Sequence, residues 1–167
     1  MRRLMIGCAI GVVVVCLAAC TNSGTTSATE PDQQRKADMW EIDQIEKSFH
    51  EATTTKDIDL MLSLWAPNAT LTAGPGQTAT GIDEIRNFWL EKSTAFMPVT
   101  HWVSDHPAYK LEITLAGDRG TLHFECHYVD YDSETVDLAT VADLDVARID
   151  GRWLITNMVA GSTTLAP

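Results

Sequence analysis

The side chains best equipped for chemistry lie in the stretch Thr121-Leu122-His123-Phe124-Glu125-Cys126-His127-Tyr128. Extended backbone sends alternate residues to opposite faces, so Leu122, Phe124, Cys126 and Tyr128 share one face and His123, Glu125 and His127 the other. A His-x-Glu-x-His row can supply an acid–base pair or metal ligands, but a metal centre also needs converging groups and outer-shell support. On spacing alone, a solvated surface or part of a homodimer interface is the better assignment, and His123, Glu125 and His127 are weak metal candidates. No cofactor is expected. His101 is a second candidate, since an imidazole titrates near neutrality and can act as a general base against a positioned substrate; a half-exposed strand residue is the plainer assignment. Asp145, in the largely apolar Leu144-Asp145-Val146-Ala147, is the third. Facing inward it would need a partner or a raised pKa, whereas facing outward it is an ordinary strand residue. If His101 and Asp145 converge on one cavity, a lyase or isomerase working by general acid–base catalysis follows. Trp65, Phe88, Trp89, Trp102 and Asn157 are candidates for the wall of such a cavity, although Trp and Phe at helical spacing also simply pack.

These residues need elements to position them. Met39, Ile42, Ile45, Phe49 and Ala52 recur at three- and four-residue spacing and predict an amphipathic helix from Asp38 to about Thr54. Asp57 suits the N-cap of a second helix through Leu60, Met61, Leu64 and Trp65, closed by Pro67. Ala69–Thr72 reads as a short strand running into the turn Gly74-Pro75-Gly76. Thr80-Gly81-Ile82-Asp83 opens a third helix with a capping-box-like pair and a stripe of Ile82, Ile85, Phe88 and Trp89. From Val99 the period becomes two, with strands over Val99–Ser104, Tyr109–Leu115, Thr121–Tyr131, Asp137–Ile149 and Arg152–Ala160. Helices followed by a meander of long antiparallel strands predict an α+β domain with helices covering one sheet face.

The N-terminus speaks of location. Met1-Arg2-Arg3 precedes an apolar run from Leu4 to Leu17, shorter than the roughly 20 residues a membrane span needs and patterned like a secretory signal. The run ends in Leu17-Ala18-Ala19-Cys20, which resembles the bacterial lipobox, whose Cys is acylated by chains such as palmitate and becomes the first mature residue. An exported protein held at the cell envelope through a lipid on Cys20 is the expectation, since several acyl chains give stable attachment. Cys8 and Cys16 would leave with the signal, so Cys126 has no partner within the mature chain and reads as a small buried hydrophobe. Losing residues 1–19 removes Arg2 and Arg3 and leaves 10 Lys+Arg against 23 Asp+Glu, a net charge of −13. Nucleic acid needs clustered cations and is not an expected partner. The organisation read from the sequence is a signal over 1–19, the lipidated Cys20 and a polar tether over 20–36, one domain over 37–162, and a tail over 163–167.

Lys56-Asp57-Ile58-Asp59-Leu60-Met61-Leu62-Ser63-Leu64-Trp65-Ala66-Pro67-Asn68-Ala69-Thr70-Leu71 resembles the helix-to-strand signature of the nuclear transport factor 2-like superfamily. Gly81–Trp89 resembles its third helix and Asp150–Ile155 its last hairpin, and Thr100-His101 leans toward the SnoaL-like branch. The resemblance implies a cone-like curved antiparallel sheet wrapped around the N-terminal helices, with an apolar pocket for a small hydrophobic molecule. It also admits isomerases, dehydratases and non-catalytic interaction or dimerisation modules, so fold does not fix function. The ketosteroid isomerase set is incomplete here: Leu71–Pro75 offers no carboxylate base, Phe49 stands at the oxyanion Tyr, and only Asp145 lines up with the protonated Asp. In the dehydratase-like branch, Thr54 stands where the helix Asp is expected, leaving His101 as the sheet His. A surface-tethered domain binding a small hydrophobic molecule is therefore the first reading, with the acid–base enzyme and the interaction module as alternatives.

Overall fold

The structure, a computed structural model, describes residues 30–96, 102–104, 110–130 and 135–164. The first helix, α1 (Glu30–Thr55), begins eight residues before the expected Asp38, so residues 30–36 are helix rather than tether. Pro31 sits in the first turn, where no backbone N–H is needed, and Asp32 beside it favours the positive end of the helix dipole. The added turns are tied down at their base: Gln34 donates to Asp38 at 2.8 Å, and the buried Asp38 also pairs with Arg148. Ile42, Ile45, Phe49 and Ala52 form the buried stripe the spacing predicted.

Lys56 ends α1 in a left-handed conformation (φ 60°), and Asp57 N–H returns to the Ala52 carbonyl at 3.0 Å. Asp57 then caps α2 (Ile58–Ser63) by accepting from Leu60 N–H at 2.9 Å. Trp65, expected at the end of this helix, instead starts the strand β1 (Trp65–Thr72). The chain is drawn into the sheet one residue earlier by Ile155 N–H, which donates to the Leu64 carbonyl at 2.8 Å. Pro67 falls inside the irregular stretch between Trp65 and Thr70, where its missing N–H breaks no ladder bond. A short strand that the sequence did not announce, β2 (Thr78–Thr80), pairs with β1 and absorbs Thr80. The third helix, α3 (Ile82–Glu91), therefore has Gly81 as its N-cap, and Glu84 rather than Asp83 reaches back to accept from Thr80 N–H at 2.8 Å.

The remaining strands are β3 (Trp102–Ser104), β4 (Lys110–Ala116), β5 (Arg119–Asp130), β6 (Val136–Ile149) and β7 (Arg152–Thr164). They form one curved seven-stranded sheet in the order β2-β1-β7-β6-β5-β3, with β4 also on β5. All neighbours are antiparallel except β1 and β7, which run parallel. β7 advances by two residues, from Ile155 to Asn157, where β6 moves by one, between Val146 and Asp145, and such a bulge bends the sheet. β7 continues past the expected Ala160 because Val141, Thr140, Ala139 and Leu138 still offer it pairing partners.

Alternation sorts the two faces. Leu122, Phe124 and Cys126 on β5, Ala142, Leu144 and Val146 on β6, and Ile155 and Met158 on β7 are buried against the helices. Each large side chain so covered contributes about 1.5–3 kcal/mol relative to exposure. Cys126 is one of these, its thiol 2.8 Å from the Thr140 hydroxyl. Among the described residues, no helix is long and apolar enough to cross a membrane.

Candidate functional site

Where α1 and α3 stand away from the sheet, a cavity of about 530 Å³ remains. Its inner wall is Phe49 from α1, Phe88 and Trp89 from α3, Leu71 from β1, Phe124 from β5 and Met158 from β7. The rings meet edge-on or tilted: Phe49 lies 5.4 Å from Trp89 and 5.5 Å from Phe124, and Phe88 lies 5.3 Å from Trp89. Such contacts fix ring orientation beyond the effect of burial, so the wall is shaped before anything enters. The mouth is more polar, with Gln77 from the β1–β2 turn, Thr140 from β6, and Lys92, Ser93 and Thr94 after α3. The turn Thr94–Phe96 is held by Lys56, whose Nζ donates to the Ala95 carbonyl; burial lowers the pKa of this amine. A cavity of this size, apolar with a few polar groups at one end, is of the kind that takes small molecules.

A second hollow, about 400 Å³ and open, lies on the opposite face of the same sheet, between Glu112, Thr114, Thr121, His123, Asp143, Asp145, Asn157 and Val159. Here His123 Nδ1 lies 2.7 Å from Asp143 and Nε2 lies 3.2 Å from Glu125, which in turn meets Lys110 at 3.4 Å. The hydrogen bond that the ring donates to Asp143 raises the His123 pKa against its partial burial, with Glu125 adding to the rise. The His123 bond is also the main reason that Glu125 is lowered, while the bond to Glu125 raises Lys110. Both imidazole nitrogens of His123 are thus engaged with carboxylates. Among the described residues, no group of three His, Cys, Asp or Glu side chains is arranged to hold a metal ion.

The structure separates the residues singled out from the sequence. Phe88 and Trp89 line the cavity. Trp65 is buried in the core beside Ile155 and does not reach that wall. Asp145 does not face inward: Leu144 and Val146 take the inner positions, so Asp145 lies exposed on the outer face, where Asn157 Nδ2 donates to it at 3.2 Å. Asp145 and Asn157 therefore belong to the outer hollow, on the other side of the sheet from Trp89. His101 lies outside the described residues, as does the side chain of Trp102, whose backbone pairs with Asp130.

One pair went unread in the sequence. Glu46 and His50, one turn apart on α1, are only 1% and 2% exposed, with His50 Nδ1 at 3.2 Å from Glu46 Oε1. The His50 ring stands edge-on to Phe124 with centroids 5.7 Å apart, one side chain behind the cavity wall. The available signal was the i, i+4 spacing of an acid and a base directly beside the Ile42, Ile45, Phe49 stripe. A stripe one residue wider would have placed both inside.

The SnoaL-like domain family matches residues 34–159. No curated protein matches significantly. Solved structures are similar in fold. A protein of unknown function with a cystatin-like fold from Nostoc punctiforme is 16% identical, with 84% of this chain and 98% of that one covered at a TM-score of 0.65. A hexachlorocyclohexane dehydrochlorinase from Novosphingobium barchaimii is 16% identical over 81% of this chain and 94% of its own, at 0.67. A putative ketosteroid isomerase from Shewanella frigidimarina is 19% identical over 70% and 91%, at 0.57.

Proposed function

The chain belongs to the family of SnoaL-like domains, and from that membership we propose that it binds a small, largely apolar molecule in the cavity between α1, α3 and the sheet. The observation that carries this reading is the aromatic wall of Phe49, Phe88, Trp89 and Phe124 around about 530 Å³ of space. Closing a cavity of that size with core residues would be favourable, so its retention beside a well-packed core supports use. The chain purified without added ligand is expected to carry an apolar adduct in native mass spectrometry. Ala160→Phe, which fills the cavity from β7, is expected to remove the adduct without unfolding the domain. An adduct-free chain whose behaviour the substitution leaves unchanged would count against the pocket.

A second reading is a lyase or isomerase acting on a molecule in the same cavity, with the buried Glu46–His50 pair, one side chain behind the wall, supporting the site rather than touching the molecule. Fold neighbours that bear dehydrochlorinase and isomerase names support testing it. Chloride release from hexachlorocyclohexane that disappears in His50→Gln is the expected sign, and equal release by both chains would remove the pair from any mechanism.

We also propose that the domain is exported and held at an envelope membrane through Cys20, supported by Arg2-Arg3, the apolar run and Leu17-Ala18-Ala19-Cys20. Labelled palmitate is expected in the wild-type chain and not in Cys20→Ser; label in both would refute the site.

A further inference from the structure

Resting on the pocket reading above, we infer that the cavity selects a ligand with an apolar body and an anionic end, such as an aryl or alkyl carboxylic acid. Trp89 and Lys92 stand three residues apart across the end of α3, a spacing that brings side chains to one face. Both line the cavity. Trp89 offers its ring to that wall, since its indole nitrogen is covered by neighbouring atoms.

Lys92 supplies the charge. It is the cation of the lining, exposed at the mouth, with the hydroxyls of Ser93 and Thr94 next to it. The chain carries 23 Asp and Glu, and the outer hollow holds three of them in Glu112, Asp143 and Asp145. None of the described residues lining the cavity is acidic. In a protein whose general field repels anions, this is where a carboxylate meets donors instead of like charge. The arrangement gives the ligand a direction: rings or chain against Phe49 and Phe124, carboxylate toward Lys92, Ser93 and Thr94.

Naphthylacetic acid and its primary amide separate the contributions, because they share the apolar body and a carbonyl acceptor and differ in charge. Both are titrated calorimetrically into the whole chain held in lipid nanodiscs, with empty nanodiscs subtracting partition. The acid is expected to bind about fivefold more tightly than the amide, the scale of one partly exposed ion pair. Lys92→Met should erase that preference while keeping amide binding, Lys92→Arg should retain it, and high salt should shrink it. Equal binding of acid and amide by the wild-type chain would overturn the anionic selectivity and leave the apolar pocket standing. Binding of neither would overturn both.

Discussion

The two hollows of this domain share a wall. Phe124 and Leu122 face one side of β5 while His123 and Glu125 face the other, and Leu144 and Asp145 divide β6 in the same way. Yet the inner cavity is aromatic and free of acids along its described lining, whereas the outer hollow holds Glu112, Asp143 and Asp145 around an imidazole. Strand alternation has sorted binding from charge. The inner face can hold an apolar body because every second residue of three long strands is apolar and water is excluded there. The outer face can hold ion pairs because solvent meets the cost of their charge. Of the groups that lend the cavity polarity, Thr140 comes from the sheet and Gln77 from a turn at its edge, while Lys92, Ser93 and Thr94 follow α3.

The largest expected effect comes from breaking the shared wall on its inner side. Phe124 is 1% exposed and touches both Phe49 and His50. Phe124→Ala should cost about 3–5 kcal/mol in denaturant unfolding, the range for emptying an aromatic site in a core. His123→Ala, one residue away on the outer side, should stay within about 1 kcal/mol. Comparable losses in the two variants would mean that the faces are not energetically distinct.

A smaller effect is expected where the sheet is clamped to α1. Arg148 reaches the buried Asp38, lies near Glu41 and Asp118, and stacks over Trp153 at 4.9 Å. Burial alone would raise the Asp38 pKa, but the bonds from Arg148 and Gln34 and the Arg148 charge outweigh it and hold the carboxyl below its usual value. A carboxyl lowered by folding stabilises the domain above its unfolded pKa, and that contribution fades as pH falls through the folded value. Arg148→Met should therefore cost about 2–3 kcal/mol at neutral pH, by leaving Asp38 buried without its cation. Urea midpoints measured down the acid range should converge for the two chains. A gap that stays constant with pH would assign the loss to packing on Trp153 rather than to Asp38.

Much of this architecture was legible because it rests on periodicity. The stripe of α1, the buried row of β5 and the order of helices and strands follow from apolar spacing, and the family resemblance from their sequence. The misread points are those where a distant partner decides. Residues 30–36 are polar in every local sense, yet Arg148, more than a hundred residues away, anchors the turns they begin through Asp38. Trp65 joins a strand because Ile155 takes the Leu64 carbonyl. The candidate site suffered more. Asp145 drew attention because its neighbours are apolar, but alternation turns those neighbours inward and Asp145 outward. Glu46 and His50 stand beside the apolar stripe and went unread, and their burial depends on strands far along the chain, such as β5, whose Phe124 packs on His50.

The finest test of the division between faces is the state of His123 itself. Its pKa is raised, first by the hydrogen bond to Asp143 and then by Glu125, against some loss from burial. A His raised by folding stabilises the domain fully below its unfolded pKa, and the contribution is lost as pH climbs through the folded value. The His123 ring, followed by NMR, should therefore titrate above the usual value of about 6.5. Asp143→Asn should bring the midpoint down while leaving capture of an apolar molecule unchanged, because Asp143 lies across the sheet from Phe49 and Trp89. A midpoint that also moves when ligand fills the cavity would show that the two hollows communicate through β5. In that case the alternating strand would be a coupling element, and the separation of charge from binding would hold for contacts but not for energies.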